Sequence, residues 1–231
     1  MREALETLPA LMQEYRAAVL EAACEGRLIR GDKKQWKQLT LEDVCSRVTD
    51  GDHQPPPKVS DGIPFLTIGN ISSGRLDFSD IRFVLREYFA KIKPDRIPKR
   101  NDVLYTVVGA TIGIPVLVKT NRHFCFQRHI ALLKPSAAIL PKFLWIFMAS
   151  PKTFQQAWAR VTGSAQPTLP LNALRNLPIT LPPLAVQRLI VREVERRLLP
   201  PPIEFKRKFS APSNRHRNCA PRCSTALFLV A

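Results

Sequence analysis

The sequence predicts an α+β fold: one mixed domain over residues 36–182, flanked by helices at 1–30 and 183–199 that pair as an antiparallel coiled coil, the second incomplete. Three observations predict it. Apolar residues recur at heptad spacing near both ends of this region. Between them lie short β-rich runs separated by Gly and Pro. Those strands mix with short helices without the regular alternation that makes a parallel βαβ sheet.

Leu5, Leu8, Met12, Tyr15, Val19 and Ala22 fall at spacings of 3, 4, 3, 4 and 3, with Glu6, Glu14, Arg16 and Glu21 on the other faces. That is a heptad seam, and it calls for a second helix. Pro9 is tolerated in a first turn, so Thr7 is the expected cap of a helix ending near Glu25, with Gly26 just beyond. After the hinge Gly31-Asp32-Lys33-Lys34, Thr40-Leu41-Glu42-Asp43 has the form of a capping box opening a short helix.

Expected strands follow at Phe65–Ile68, Ile81–Leu85, Val103–Val108, Ile114–Val118 and Ile130–Leu133, with a last one at Leu177–Leu181. Pro141–Ala149 and Thr153–Arg160 read as helices, the first with proline in its opening turn. Pro182-Pro183 stops the last strand. Leu184, Val191, Val194 and Leu198 then resume a heptad register, with Gln187 at the intervening seam position. Pro200-Pro201-Pro202 ends it, because three prolines remove donors and clash with the preceding turn. Residues 200–231 have no helical period and read as a disordered or aberrant tail.

The formal charge of +16 is concentrated in the middle of the chain. Residues 1–35 hold six Lys/Arg against six Asp/Glu, residues 36–199 hold 23 against 12, and residues 200–231 hold six against one. A domain this basic repels itself unless an anionic partner offsets the charge, and a polyphosphate is the commonest such partner. Five cysteines, odd in number and mostly far apart, argue against a disulfide framework. The polar N-terminus has no secretory signal, and the longest apolar stretch, Ile139–Ala149, is broken by Pro141 and Lys142. A cytoplasmic protein with no membrane partner is expected.

Catalytic signatures are lacking. No Asn/Asp-Pro-Pro-aromatic, Gly-x-Gly-x-x-Gly or Walker-type sequence occurs, and Pro94-Asp95 is not followed by the acidic-x-Lys of a nuclease. His123, Cys125 and His129 suggest a metal site, but on a strand His129 points away from the other two, so core positions are the better reading and no metal is expected. His216, Cys219 and Cys223 lack a fourth ligand.

Two segments suit DNA. The strip Arg86–Arg100 carries Lys91, Lys93, Arg96, Lys99 and Arg100, which reach phosphates if Tyr88 and Phe89 anchor it. The loop Gly163-Ser164-Ala165-Gln166-Pro167-Thr168, close after Arg160, places a Gln where its amide can pair with an adenine edge, or else serves to shape the domain. His53, Gln54 and Lys58, around the stiff Pro55-Pro56-Pro57, carry the same two readings. Gly109–Gly113 is expected to be a hairpin turn.

The ordered series Asp50-Gly51-Asp52-His53, Gly62-Ile63-Pro64-Phe65-Leu66, Asn70-Ile71, Asp102-Val103-Leu104, Gly163 to Leu169, and Leu181-Pro182-Pro183-Leu184 leading into Val191-Arg192-Glu193-Val194-Glu195 resembles one target-recognition domain of the specificity subunit of type I restriction-modification systems. The resemblance implies a non-catalytic subunit that reads double-stranded DNA. In that family two such domains, held apart by two long helices, each read half of a split target. Modification subunits dock on them and methylate adenine with S-adenosylmethionine, and restriction subunits add ATP- and Mg-dependent translocation and cleavage. No cofactor is expected in this chain.

Three departures qualify the resemblance. Only one recognition domain is present, Val186 stands where relatives often have Glu before the Gln, and the distal helix breaks at Leu199. A homodimer, or pairing with a second specificity half, restores the two-domain arrangement, but dimerisation requires the distal helix that breaks off here. A frameshift or truncation near Leu199 accounts for the tail; a basic arm adding DNA affinity is the competing view. Other classes are an inert remnant, or an independent DNA methyltransferase or endonuclease.

Overall fold

The computed structural model describes the backbone of residues 2–52 and 56–198, with side chains from residue 8 onward. The expectations for Leu5, His53, Gln54 and the 200–231 tail therefore lie outside what is described.

The first helix, α1 (Arg2–Cys24), holds Pro9 within it, so Thr7 does not start it. Proline's fixed φ is helical, and its missing N–H costs the ladder one local bond that the turns on either side survive. The helix ends in a Schellman motif: Gly26 at φ +66° lets its own N–H reach Ala23 O at 3.2 Å and Arg27 N–H reach Ala22 O at 2.8 Å. The chain then runs through β1 (Lys37–Thr40) into α2 (Leu41–Val44). The expected capping box opens α2, with Asp43 Oδ2 accepting from both Thr40 N–H and Thr40 Oγ1 at 2.8 Å.

The centre of the domain is a four-stranded sheet in the order β2 (Cys45–Asp50), β8 (Ile130–Pro135), β5 (Val103–Thr106), β6 (Pro115–Leu117). A three-stranded sheet, β4 (Arg82–Val84), β3 (Ile63–Leu66), β7 (Cys125–Phe126), lies against it. Alternation on the shared strands decides the layering. Val103, Tyr105, Ala131 and Leu133 face a helical core with Val19, Phe143, Leu144, Ile190 and Val194. Leu104, Ile130 and Leu132 face the other way, onto Leu66, Phe124 and Phe126 of the smaller sheet. That sheet's outer face, Ile63, Phe65, Val84 and Cys125, is covered by Tyr88, Phe89 and Ile92, the first two from α3 (Arg86–Ala90).

The helical layer comprises α1, α4 (Pro141–Met148), α5 (Pro151–Trp158) and α7 (Leu184–Leu198), while the short α6 (Leu171–Arg175) packs beside β2. Glu21 of α1 accepts the backbone N–H of Lys152 at the start of α5. The ribbon of β1 with β9 (Pro178–Leu181), paired antiparallel from Lys37↔Leu181 to Thr40↔Pro178, brings the outgoing α7 back beside α1. Gln187 is fully buried: its Oε1 accepts Leu140 N–H at 2.8 Å and its Nε2 donates to Ala138 O and Pro182 O.

The helix pair is only partly closed. Val19, Ala22, Val191 and Val194 are buried, Leu184 and Leu198 are half-buried, and Ile190 joins them. Leu8, Met12 and Tyr15, expected in the same seam, are exposed, as is Leu11. Leu198, the last described residue of α7, lies beside Met12 and Tyr15.

Three strands, β1, β2 and β7, and helix α3 were not expected from sequence. The strand expected at Phe65–Ile68 is β3 at Ile63–Leu66, followed by a 3-10 turn in which Asn70 Oδ1 accepts both Thr67 N–H and Thr67 Oγ1. Gly109–Gly113 is the β5–β6 connection, as expected. His123 is not a core residue: it is exposed and stacks on Phe89, with ring centroids 5.8 Å apart.

Candidate nucleic-acid interface

The sheet register draws distant segments to one end of the domain. Asp50 pairs with Ala131, and Tyr105 pairs with the same residue from the other side, so β2, β8 and β5 finish level with one another. Beyond β2 comes Asp52, bridged to Gln127. Before β8 comes the tight turn Gln127–Ile130, closed by Ile130 N–H to Gln127 O at 3.1 Å. Past β5 come Val107 and Val108, with Val107 N–H on His129 O and Val108 bridged to Thr168. At about 4.8 Å per strand, the row from Asp52 to Thr168 is roughly 15 Å wide.

At one flank of this edge, Gly51 permits a close approach. A Cβ there would lie on the Phe126 carbonyl oxygen. The neighbouring Asp52 is a clamp: its carboxylate accepts the Tyr88 hydroxyl and pairs with Arg96 at 3.0 Å. Arg96 also donates to Asp50 O at 3.3 Å. The basic strip is thus fixed to the end of β2 at two points.

The strip then runs along β2, where Asp95 pairs with Arg47 at 3.2 Å, towards the other end of the sheet. There a buried pair secures it: Lys134 Nζ lies 2.5 Å from Asp102 Oδ2 and donates to Ile97 O, while Asp102 accepts Lys99 N–H at 2.7 Å. Lys91, Lys93 and Lys99 are exposed and make no ion pair among the described residues. Arg100 donates to Lys119 O at 2.6 Å. Lys58 is exposed just before Val59, whose N–H bonds Phe83 O beside the outer sheet.

At the opposite flank, the loop 162–168 is closed by reciprocal 2.8 Å hydrogen bonds between the Thr162 and Thr168 backbones and pinned to the sheet by Gly109 N–H on Pro167 O and Leu169 N–H on Val107 O. Gly163 has φ +87°, and a Cβ there would crowd Gln166 O. Ser164 and Gln166 are exposed at its tip, whereas the Thr168 hydroxyl is turned onto Gln166 O at 3.1 Å. Arg160 is half-buried and donates to Gln156 O, closing its own helix.

The expected site residues therefore fall into two places. Asp52, which leads into the undescribed His53 and Gln54, shares an edge with Ser164, Gln166 and Thr168. Lys99 and Arg100 lie near Asp102, at the far end of β5 and roughly 20 Å from Val108 by strand rise. Arg96 is engaged inside the protein. Sequence reasoning missed Gln127, Arg128 and His129, which occupy the middle of the edge. Gln127 Nε2 lies 2.9 Å from His129 Nδ1, and burial followed by the nearby Arg128 charge pushes the His129 pKa down. The contact is a hydrogen bond from the amide to Nδ1 in the neutral tautomer that carries its proton on Nε2.

A basic strip anchored beside a polar edge has the electrostatic character of nucleic-acid-binding domains. Comparison with known proteins is more specific. Residues 33–196 match the model for the type I restriction modification DNA specificity domain. The chain is 30% identical over 215 residues to the EcoBI specificity subunit of Escherichia coli, covering 83% of this chain and 44% of that protein. It is 26% identical over 203 residues to the EcoKI specificity subunit of E. coli strain K12, covering 83% and 43%. Among solved structures it resembles the HsdS subunit from Thermoanaerobacter tengcongensis (TM-score 0.56, 20% identity, 84% of this chain and 47% of that one) and the type I S subunit from M. genitalium (TM-score 0.54, 14% identity, 85% and 50%). The chain belongs to the type I restriction modification DNA specificity family, and it spans a little under half the length of the curated relatives it matches.

Proposed function

We propose that this chain is one DNA-reading half of a type I specificity subunit, without catalysis of its own, that directs modification and restriction subunits to a target sequence. The observation that carries this reading is the family match over residues 33–196, which takes in both the basic strip and the polar edge. The surplus of 23 Lys/Arg over 12 Asp/Glu in residues 36–199 supports it. On this reading the strip supplies phosphate contacts and the edge supplies sequence preference. S-adenosylmethionine, ATP and Mg belong to the partner subunits.

The match spans a little under half of each curated relative, which leaves room in those proteins for a second recognition half. A second copy of this chain is one partner that would bring such a half, and the exposed Leu8, Leu11, Met12 and Tyr15 on α1 offer it an apolar surface.

Duplex binding measured against salt tests the reading. If about six phosphates are neutralised, log affinity falls with log salt at a slope near −5. An affinity for duplex no greater than that of a neutral control protein contradicts it.

A further inference from the structure

We propose that the Gln127–Ile130 turn is a base-reading element and that Arg128 is its discriminating side chain, selecting guanine. This rests on the DNA-reading function proposed above and names a residue for it.

The turn sits between the Asp52 segment and the 162–168 loop. Its backbone is held on both sides: Arg128 N–H donates to Asp52 O at 3.2 Å, Val107 N–H donates to His129 O at 3.0 Å, and Gln127 N–H donates to Leu66 O at 3.0 Å. The backbone that presents Arg128 is therefore fixed by three different strands or their extensions. The Arg128 side chain is exposed and makes no ion pair among the described residues. The nearby Asp52 carboxylate is already taken by Arg96 and Tyr88. Gln127 bonds His129, so among the described residues the arginine is the charged group without an ion pair at the centre of the edge.

An arginine in that position has a specific use. Its planar guanidinium donates two parallel hydrogen bonds, and O6 and N7 of guanine in the major groove accept such a pair. The edge, roughly 15 Å wide by strand spacing, is comparable to the ~12 Å major groove. Arg128 would enter near the middle of the stretch that the edge covers.

The test is selection of bound duplexes from a pool with randomised base pairs, using the full chain and its Arg128→Ala and Arg128→Lys variants. The wild type should enrich guanine at a position that Arg128→Ala no longer constrains, with affinity for the preferred duplex falling about tenfold or more and affinity for unrelated duplexes little changed. Arg128→Lys should retain part of the preference. Thermal unfolding controls for folding; the Arg128 side chain makes no hydrogen bond or ion pair among the described residues. An unchanged preference at every position in Arg128→Ala overturns the inference, as does an equal loss on all sequences, which marks a phosphate contact. If the wild type itself binds no duplex, the parent reading fails instead.

Discussion

Asp52 and Arg96, separated by 44 residues in sequence, form a 3.0 Å ion pair that ties the basic strip to the end of β2. Tyr88 shares the same carboxylate, so one aspartate sets the path of residues 88–96. Asp52→Ala should therefore release the strip. Since the pair is about three-quarters covered, the expected loss of stability is about 1–3 kcal/mol by urea denaturation, with faster hydrogen exchange in residues 88–96. Unchanged exchange there would show that the aspartate is not the clamp.

The second anchor is more buried. Asp102→Ala leaves the Lys134 ammonium without its carboxylate in a site where both side chains are about nine-tenths covered. The expected cost is about 3–5 kcal/mol. Replacing both charges, Asp102→Leu with Lys134→Met, should recover most of that loss, because burying an unpaired charge is the main penalty. The same urea midpoints decide it.

Gln187 makes a separate case. Gln187→Leu strands Leu140 N–H, Ala138 O and Pro182 O inside the helical layer, at an expected cost of about 2–4 kcal/mol. Gln187→Glu should also destabilise, since a carboxylate cannot donate to the two carbonyls. A midpoint shift below about 1 kcal/mol in both variants would contradict the assigned bonds.

Parts of this architecture are written locally and parts are not. The Thr40 capping box and the Pro-opened α4 are legible because their signals lie within four residues of each other. The strand Lys37–Thr40 is invisible in sequence: Lys-Gln-Leu-Thr has little β character and is a strand because β9, far along the chain, pairs with it. The strand Cys45–Asp50 hides its alternation behind a bulge between Cys45 and Arg47. Five residues are too few to show helical period in α3, which forms where Tyr88 and Phe89 cover the outer sheet. The polar edge was half legible for the same reason. Gln166 and the Asp52 segment stand out as motifs, but their meeting around Gln127–His129 follows from strand register, which no local signal encodes.

The pH dependence has a definite sign. The His129 pKa lies below its ordinary value of 6.5, first because burial penalises the charged form and then because of Arg128. A depressed folded value means that the unfolded chain binds the proton more readily, so this contribution is full above about pH 6.5 and is lost as pH falls towards the depressed value. His129→Gln should flatten the fall in stability as pH drops below about 6.5. Parallel stability curves for the two proteins across that window would contradict this.

The strip and the edge should separate in binding. Reversing Lys91, Lys93, Lys99 and Arg100 to Glu should weaken binding to every duplex alike and lower the salt slope by about one unit for each phosphate no longer neutralised. Gln166→Ala should instead alter which sequences are preferred. Fluorescence anisotropy on a small panel of duplexes distinguishes the two patterns.

The most direct measurement is co-expression with a modification subunit of a type I system, followed by mapping of methylated adenines. Methylation confined to one sequence context, absent with the modification subunit alone and shifted by Gln166→Ala, is the predicted result. Methylation by the purified chain alone, or an identical pattern with and without it, would contradict the account.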